Sequence, residues 1–237
     1  MCVYYNMKNI VVVGGSHGIG AQLIQLLDKN GSYHITNVSR TAPKSLANVV
    51  HVEADVSNGF PTLDIEQCDG LVYCPGSINL KPFHRLTQEE FLQDYKINFL
   101  GAVSAIQSLI KPLKKSRNAS VVLFSTVAVG QGMPFHSSIG SAKAAVEGLT
   151  RSLAAEYSQN NLRFNCIAPS VTDTPLAGNL LSDDKRREAS ARRHPLNRFG
   201  QPNDLASMAE FLLSEKAEWI TGQVLNIDGG LSTLKII

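Results

Sequence analysis

The residues best suited to chemistry near the N-terminus are glycines. Gly14, Gly18 and Gly20 follow directly on Ile10-Val11-Val12-Val13. Four β-branched apolar residues suit a strand buried on both faces. Behind the glycines, Ile19, Leu23, Ile24, Leu26 and Leu27 fall on one helical stripe. A strand, a glycine turn and a helix N-terminus make an anion site, because bare backbone lets a pyrophosphate approach N–H groups whose dipole favours its charge. The spacing is Gly-x-x-x-Gly-x-Gly, not the commoner Gly-x-Gly-x-x-Gly. A ligand-free tight turn is the competing reading; the strand before and the helix after favour a nucleotide. The next strand ends in Asn37-Val38-Ser39-Arg40. In a dinucleotide fold this point faces the adenosine ribose, where an acid holds a 2′-hydroxyl and an arginine favours a 2′-phosphate. The chain offers Arg40 and no acid, so NADP(H) is expected over NAD(H).

These elements need a frame. At 237 residues the chain has room for one large α/β domain. Its 22 Lys+Arg against 20 Asp+Glu give no reason to expect nucleic acid or an anionic membrane as partner. No apolar run approaches a membrane span, and Met1 to Asn6 lack the pattern of a signal peptide. A cytoplasmic protein with reduced thiols at Cys2, Cys68, Cys74 and Cys166 is expected, with no metal-ligand spacing among them. Met7 reads as a second natural start, which makes residues 1–8 an extension and 9–237 a single domain.

The spacing predicts strands at 9–13, 33–38, 49–54, 70–74, 119–125, 162–167 and 223–227, and helices at 18–29, 88–111, 138–158 and 202–213. Thr87-x-x-Glu90 reads as a capping box, and Pro112 as the end of the helix it opens. Alternating strands and helices predict a doubly wound parallel sheet of Rossmann-like type, with helices on both faces. Residues 56–69 leave little room for a crossover helix. The polar stretch 175–195, with Lys185, Arg186, Arg187, Arg192 and Arg193, reads either as a lid over a site or as a solvated charged helix.

Further segments resemble the short-chain dehydrogenase/reductase family along about residues 9 to 231. They are the Gly14–Gly20 turn, Asp55-Val56, Lys96-Ile97-Asn98-Phe99, Phe124-Ser125-Thr126, Ser141-Ala142-Lys143, and Asn165-Cys166-Ile167-Ala168-Pro169 with Thr172 and Thr174. Two C-terminal stretches, Arg198 to Asp204 and Ile220 to Gly230, complete the set. The resemblance implies a nicotinamide-dependent oxidoreductase. It implies cofactor contacts at Gly14, Ser16, His17, Gly18, Ile19, Gly20, Ser39, Arg40, Asp55, Val56, Cys74, Gly76, Lys143, Pro169, Thr172 and Thr174, and catalytic roles for Asn98, Thr126 and Lys143. It also implies a homodimer or homotetramer built on the helices at 88–111 and 138–158.

One departure stands out. The family places a tyrosine four residues before the lysine, and here that position is Ile139; the family's serine is Thr126. An isoleucine moves no proton, whereas a threonine hydroxyl still hydrogen-bonds a carbonyl. His136, three residues before Ile139, is the nearest replacement acid, since an imidazole titrates near neutral pH. Ser137 and Ser138 read as the helix N-cap, and Tyr73 as structural. Two functions remain open. One is hydride transfer to a carbonyl or conjugated alkene of a small-molecule substrate with an unusual proton donor. The other is a catalytically silent NADP(H)-binding sensor or scaffold.

Overall fold

A computed structural model describes residues 7–44 and 46–235. Residues 1–6 of the proposed 1–8 extension, including Cys2, lie outside the described residues, but Lys8 already belongs to the first strand. Seven parallel strands form one sheet in the order β3-β2-β1-β4-β5-β6-β7. They are β1 (Lys8–Val13), β2 (Tyr33–Ser39), β3 (Val49–Glu53), β4 (Gly70–Tyr73), β5 (Ala119–Phe124), β6 (Leu162–Pro169) and β7 (Val224–Ile227). Helices α1 (Gly18–Asn30), α2 (Gln88–Tyr95), α3 (Gly101–Lys115), α4 (Ala128–Gln131), α5 (Ser137–Glu156), α6 (Asp184–Arg192) and α7 (Pro202–Leu213) complete the chain.

The alternation of apolar side chains in the strands feeds two cores. Val11, Val13, Leu71, Val121 and Phe164 pack on one face with α3 residues such as Ile106 and Leu109. Ile10, Val12, Val72 and Val122 pack on the other with Leu23 of α1 and Leu205 of α7. Strand order reverses between β1 and β4, which both pair directly, so a crevice opens at their C-terminal ends.

Two sequence expectations need correction. The segment 88–111 is not one helix: α2 and α3 are joined by a wide π-turn, Lys96–Leu100. Tyr73 explains part of it, because its buried hydroxyl donates to the Ile97 carbonyl at 2.7 Å and takes the place of a helical N–H. Gly101 leaves the room, since a Cβ there would stand 2.1 Å from the Tyr73 hydroxyl. Nor does Pro112 end α3; it lies inside the last turn, which runs on to Lys115 at the cost of one backbone bond. The Thr87–Glu90 capping box forms as expected, and only a short 3₁₀ turn, Val56–Asn58, sits between β3 and β4.

Candidate active site

The glycine turn is tightly constrained. Gly14 and Gly18 both have positive φ, and a Cβ on Gly20 would stand 2.4 Å from the Gly14 carbonyl oxygen. Asn37, fully buried in β2, locks the turn: its Oδ1 accepts from the Gly15 amide at 2.9 Å, and its Nδ2 donates to Ser39 Oγ at 2.8 Å. Ser16 Oγ lies 2.8 Å from Ser39 Oγ and 2.6 Å from the Thr41 carbonyl. The sequence did not single out Asn37; a buried polar residue in an apolar strand was the available signal. His17 is the exposed N-cap residue of α1 and makes no side-chain cap bond. Arg40 is exposed at the end of β2. Beyond β3, Asp55 accepts from the Ser57 amide at 2.9 Å. Hydrogen bonding from Ser57, with smaller help from the charges of Arg40 and Lys96, holds its carboxyl below the usual range. Val56 follows in the 3₁₀ turn and packs against the core.

The other half of the site is a cavity of about 260 Å³ at the same sheet edge. Ile19, Cys74, Gly76, Thr126, His136, Ile139, Lys143, Pro169, Thr172 and Thr174 all line it. Three roomier depressions, about 490 Å³ along α7, about 650 Å³ beside Met7 and Asn9 and about 350 Å³ between Phe83 and Ala144, touch none of the glycine turn.

Lys143 sits in α5 with only 7% of its surface exposed, and its Nζ donates to the Phe124 carbonyl at 2.7 Å. Burial lowers its pKa to about 8, against the opposing influence of Cys166, Cys74 and Asp94. Burial conversely pushes the Cys74 thiol up to about 12, with the charge of Lys143 pulling the other way. Asn98 occupies the middle of the π-turn. Its Nδ2 donates to Ser77 Oγ and to the Asp94 carbonyl, both at 2.8 Å. A Cβ on Gly76 would stand 3.1 Å from Asn98 Oδ1 and 3.7 Å from Lys143 Nζ, so the two side chains flank this backbone closely. The Asp94 carboxylate is buried beneath them and accepts from Ser77 at 2.5 Å and from Ser138 at 2.6 Å.

That bond corrects a further expectation. Ser137 and Ser138 do not cap α5; the N-cap residue is His136, without a side-chain cap bond. Ser138 faces Asp94 instead. His136 Nδ1 lies 2.8 Å from the Pro134 carbonyl. Thr126 Oγ1 accepts from the Ala128 amide at 3.3 Å. Ile139, 5% exposed, makes this part of the wall apolar. Past β6, Thr172 bridges to Gly200, and the Pro169 carbonyl accepts from the Val127 amide at 3.1 Å. Thr174 closes on the glycine turn, its methyl 3.2 Å from a Cβ built on Gly18.

The 175–195 stretch divides between the cavity wall and solvent. Leu176, Ala177 and Leu180 of a 3₁₀ turn line the cavity. On α6, Arg186 pairs with Asp183 and Arg192 with Glu188 in solvent. Two residues that sequence reasoning missed, Ser170 and His194, also line the cavity.

A seven-stranded parallel sheet with helices on both faces and a glycine cradle at its switch point defines a dinucleotide-binding fold. The comparisons narrow it. The family model described as Enoyl-(Acyl carrier protein) reductase matches residues 15–232. The chain is 27% identical over 243 residues to the 3-oxoacyl-(acyl-carrier-protein) reductase FabG of Chlamydia trachomatis, covering 95% of this chain and 97% of that protein. It is 36% identical over 169 residues to the Inactive 2-(S)-hydroxypropyl-CoM dehydrogenase 2 of Xanthobacter autotrophicus, covering 70% and 74% of the two chains. The solved structure of ElxO with NADP bound superposes with a TM-score of 0.86 at 27% identity, over 96% of this chain and all of that one. The chain belongs to the short-chain dehydrogenase/reductase family. Among the described residues no helix is long and apolar enough to cross a membrane.

Proposed function

We propose that this chain is an NADP(H)-dependent oxidoreductase acting on a carbonyl or conjugated alkene. The observation that carries the reading is the convergence on Gly76 of Asn98 Oδ1 and the buried Lys143 Nζ, on the same sheet edge as the glycine cradle. Gly14, Ser16, His17, Gly18, Ile19 and Gly20 would hold the pyrophosphate, with α1 supplying its dipole. Ser39 and Arg40 would take the 2′-phosphate, and Asp55 and Val56 the adenine. Cys74, Gly76, Pro169, Thr172 and Thr174 would border the nicotinamide half. Hydride exchange with an electrophilic carbon is the chemistry such a cofactor supplies when bound.

Lys143 is placed to hold ribose hydroxyls. At neutral pH a group titrating at about 8 is still mostly charged, so it also offers a positive field beside a developing oxyanion. Thr126 would donate to the substrate oxygen, and Asn98 would order a water. His136 is the donor that the sequence nominates in place of the phenol. The apolar walls from Ile78, Leu80, Met133, Ile139 and Leu180 fit an acyl chain. This agrees with the acyl-thioester reductases among the relatives.

Calorimetry with NADPH and NADH, then NADPH oxidation with acetoacetyl-CoA and crotonyl-CoA, tests the reading. NADPH binding tighter than NADH, with turnover of one thioester, is expected; no binding of either dinucleotide overturns it. A silent NADP(H) sensor is the second reading. Ile139 favours it, as does a relative whose own name calls it inactive; binding without turnover of any substrate would select it.

A further inference from the structure

Ser170 follows the last residue of β6, and His194 lies two residues past α6. His194 Nε2 is 2.8 Å from Ser170 Oγ, and His194 Nδ1 is 2.7 Å from the Ser190 carbonyl oxygen. A carbonyl only accepts, so Nδ1 carries a proton. In the neutral form of the ring Nε2 accepts from the Ser170 hydroxyl, and in the protonated form it donates to it. The ring is fixed through both nitrogens, by the backbone of α6 on one side and the hydroxyl on the other. His194 is only 1% exposed, yet it and Ser170 both line the cavity that contains Ile139 and Lys143. A hydroxyl hydrogen-bonded to an oriented imidazole is the arrangement by which side chains exchange protons with a reacting oxygen. Three other polar groups of the cavity are engaged differently. Lys143 Nζ donates to the Phe124 carbonyl, Thr126 Oγ1 accepts from a backbone amide, and His136 is tied to Pro134 without a hydroxyl partner.

We propose that Ser170 is the catalytic proton donor of this cavity and His194 the positioning residue that resupplies it. The proposal rests on the oxidoreductase reading. In the reducing direction, a reduced nicotinamide dinucleotide is the co-reactant that delivers two electrons as hydride to the carbonyl carbon. The π pair of the C=O bond becomes a new O–H bond with the Ser170 proton. At the same time protonated His194 gives its Nε2 proton to Ser170 Oγ. His194 ends neutral, with Nδ1–H still on Ser190 and Nε2 accepting from Ser170, which is the arrangement in the structure. Before the next turnover a hydronium ion from solvent protonates Nε2 again and leaves water behind; until then the ring rests neutral. In the oxidising direction each transfer reverses, and the pair acts as the base.

The test combines ¹⁵N NMR of the histidines with kinetics on NADPH and acetoacetyl-CoA. Wild type shows His194 protonated at Nδ1 with an accepting Nε2, and Ser170→Ala perturbs Nε2 alone; a ring protonated only at Nε2 overturns the proposal. Ser170→Ala is expected to lower kcat about 10²-fold, the scale of general acid catalysis, with KM changed less than about twofold. His194→Gln lowers kcat in the same way. Ser170→Thr, which keeps the hydroxyl, recovers most of the loss. Unchanged NADPH affinity and unfolding temperature in each variant exclude misfolding as the cause. Undiminished kcat in Ser170→Ala, or a loss confined to His136→Ala, overturns the proposal and leaves the oxidoreductase reading standing. NADPH binding without turnover of acetoacetyl-CoA or crotonyl-CoA overturns both together.

Discussion

The Asn37 side-chain oxygen accepts from the Gly15 amide at 2.9 Å and so ties the second strand to the turn that follows the first. Both groups are buried. Asn37→Ala leaves a buried N–H unpaired, which costs about 1–3 kcal/mol. Urea unfolding is expected to show that loss. Calorimetry is expected to show NADPH affinity falling about tenfold as the cradle loosens. Unchanged affinity would mean the turn holds its shape without β2.

Arg40 tests the cofactor preference. Arg40→Asp replaces a guanidinium with a charge that repels a phosphate and suits a ribose hydroxyl. Losing one or two charge-assisted hydrogen bonds shifts the NADPH:NADH affinity ratio by about 10–100-fold toward NADH. Paired titrations with the two dinucleotides measure it, and a ratio that stays put assigns the preference elsewhere.

Lys143 makes stability depend on pH in a defined direction. Burial holds its pKa at about 8, below the ordinary 10.5, so the folded chain binds fewer protons than the unfolded one between those values. Stability from this group therefore rises with pH across that window, and the burial penalty is full below it. Lys143→Met removes the dependence. Denaturation of the apoprotein at pH 7.5 and 9.5 should show wild type gaining about 1–3 kcal/mol on the variant. A flat difference would place the ammonium in contact with water.

Ile139 marks the missing phenol. Ile139→Tyr in the Ser170→Ala background should restore kcat about tenfold or more, since a positioned phenol is itself a general acid. Stopped-flow NADPH oxidation reads the recovery. A tyrosine that restores nothing points the residue 139 side chain away from the substrate oxygen.

Association is expected through the outer faces of α2, α3 and α5. Leu92 is 67% exposed, and Leu100 and Tyr95 lie nearby in sequence on the π-turn and its approach. On α5, Ala144, Gly148 and Ala155 stay exposed and small enough for close helix packing. Light scattering should report a dimer or tetramer, and Leu92→Arg with Leu100→Arg should shift it toward monomer.

The strands and the helices α1, α5 and α7 were legible because each rests on a local signal. Ile10 to Val13 suit a fully buried strand, as β1 proves to be, and Pro202 with Asp204 opens α7 where expected. What the sequence concealed depends on partners distant along the chain. Ser138 looks like an N-cap until Asp94, 44 residues earlier, comes to meet it. The π-turn depends on Tyr73, 24 residues from the carbonyl it satisfies. His194 lies in a polar run where every local cue reads as solvent; only the fold brings Ser170 to its ring.

The wide turn at Lys96–Leu100 also sets a rule of length. Each residue added to or removed from an α-helix rotates everything beyond it by about 100°. Between the capping box at Thr87 and the buried face of α3, a single insertion would swing Asn98 away from Gly76 or pull Ala105 and Leu109 out of the core. Substitutions on the solvent side of this segment should be tolerated, but indels should not.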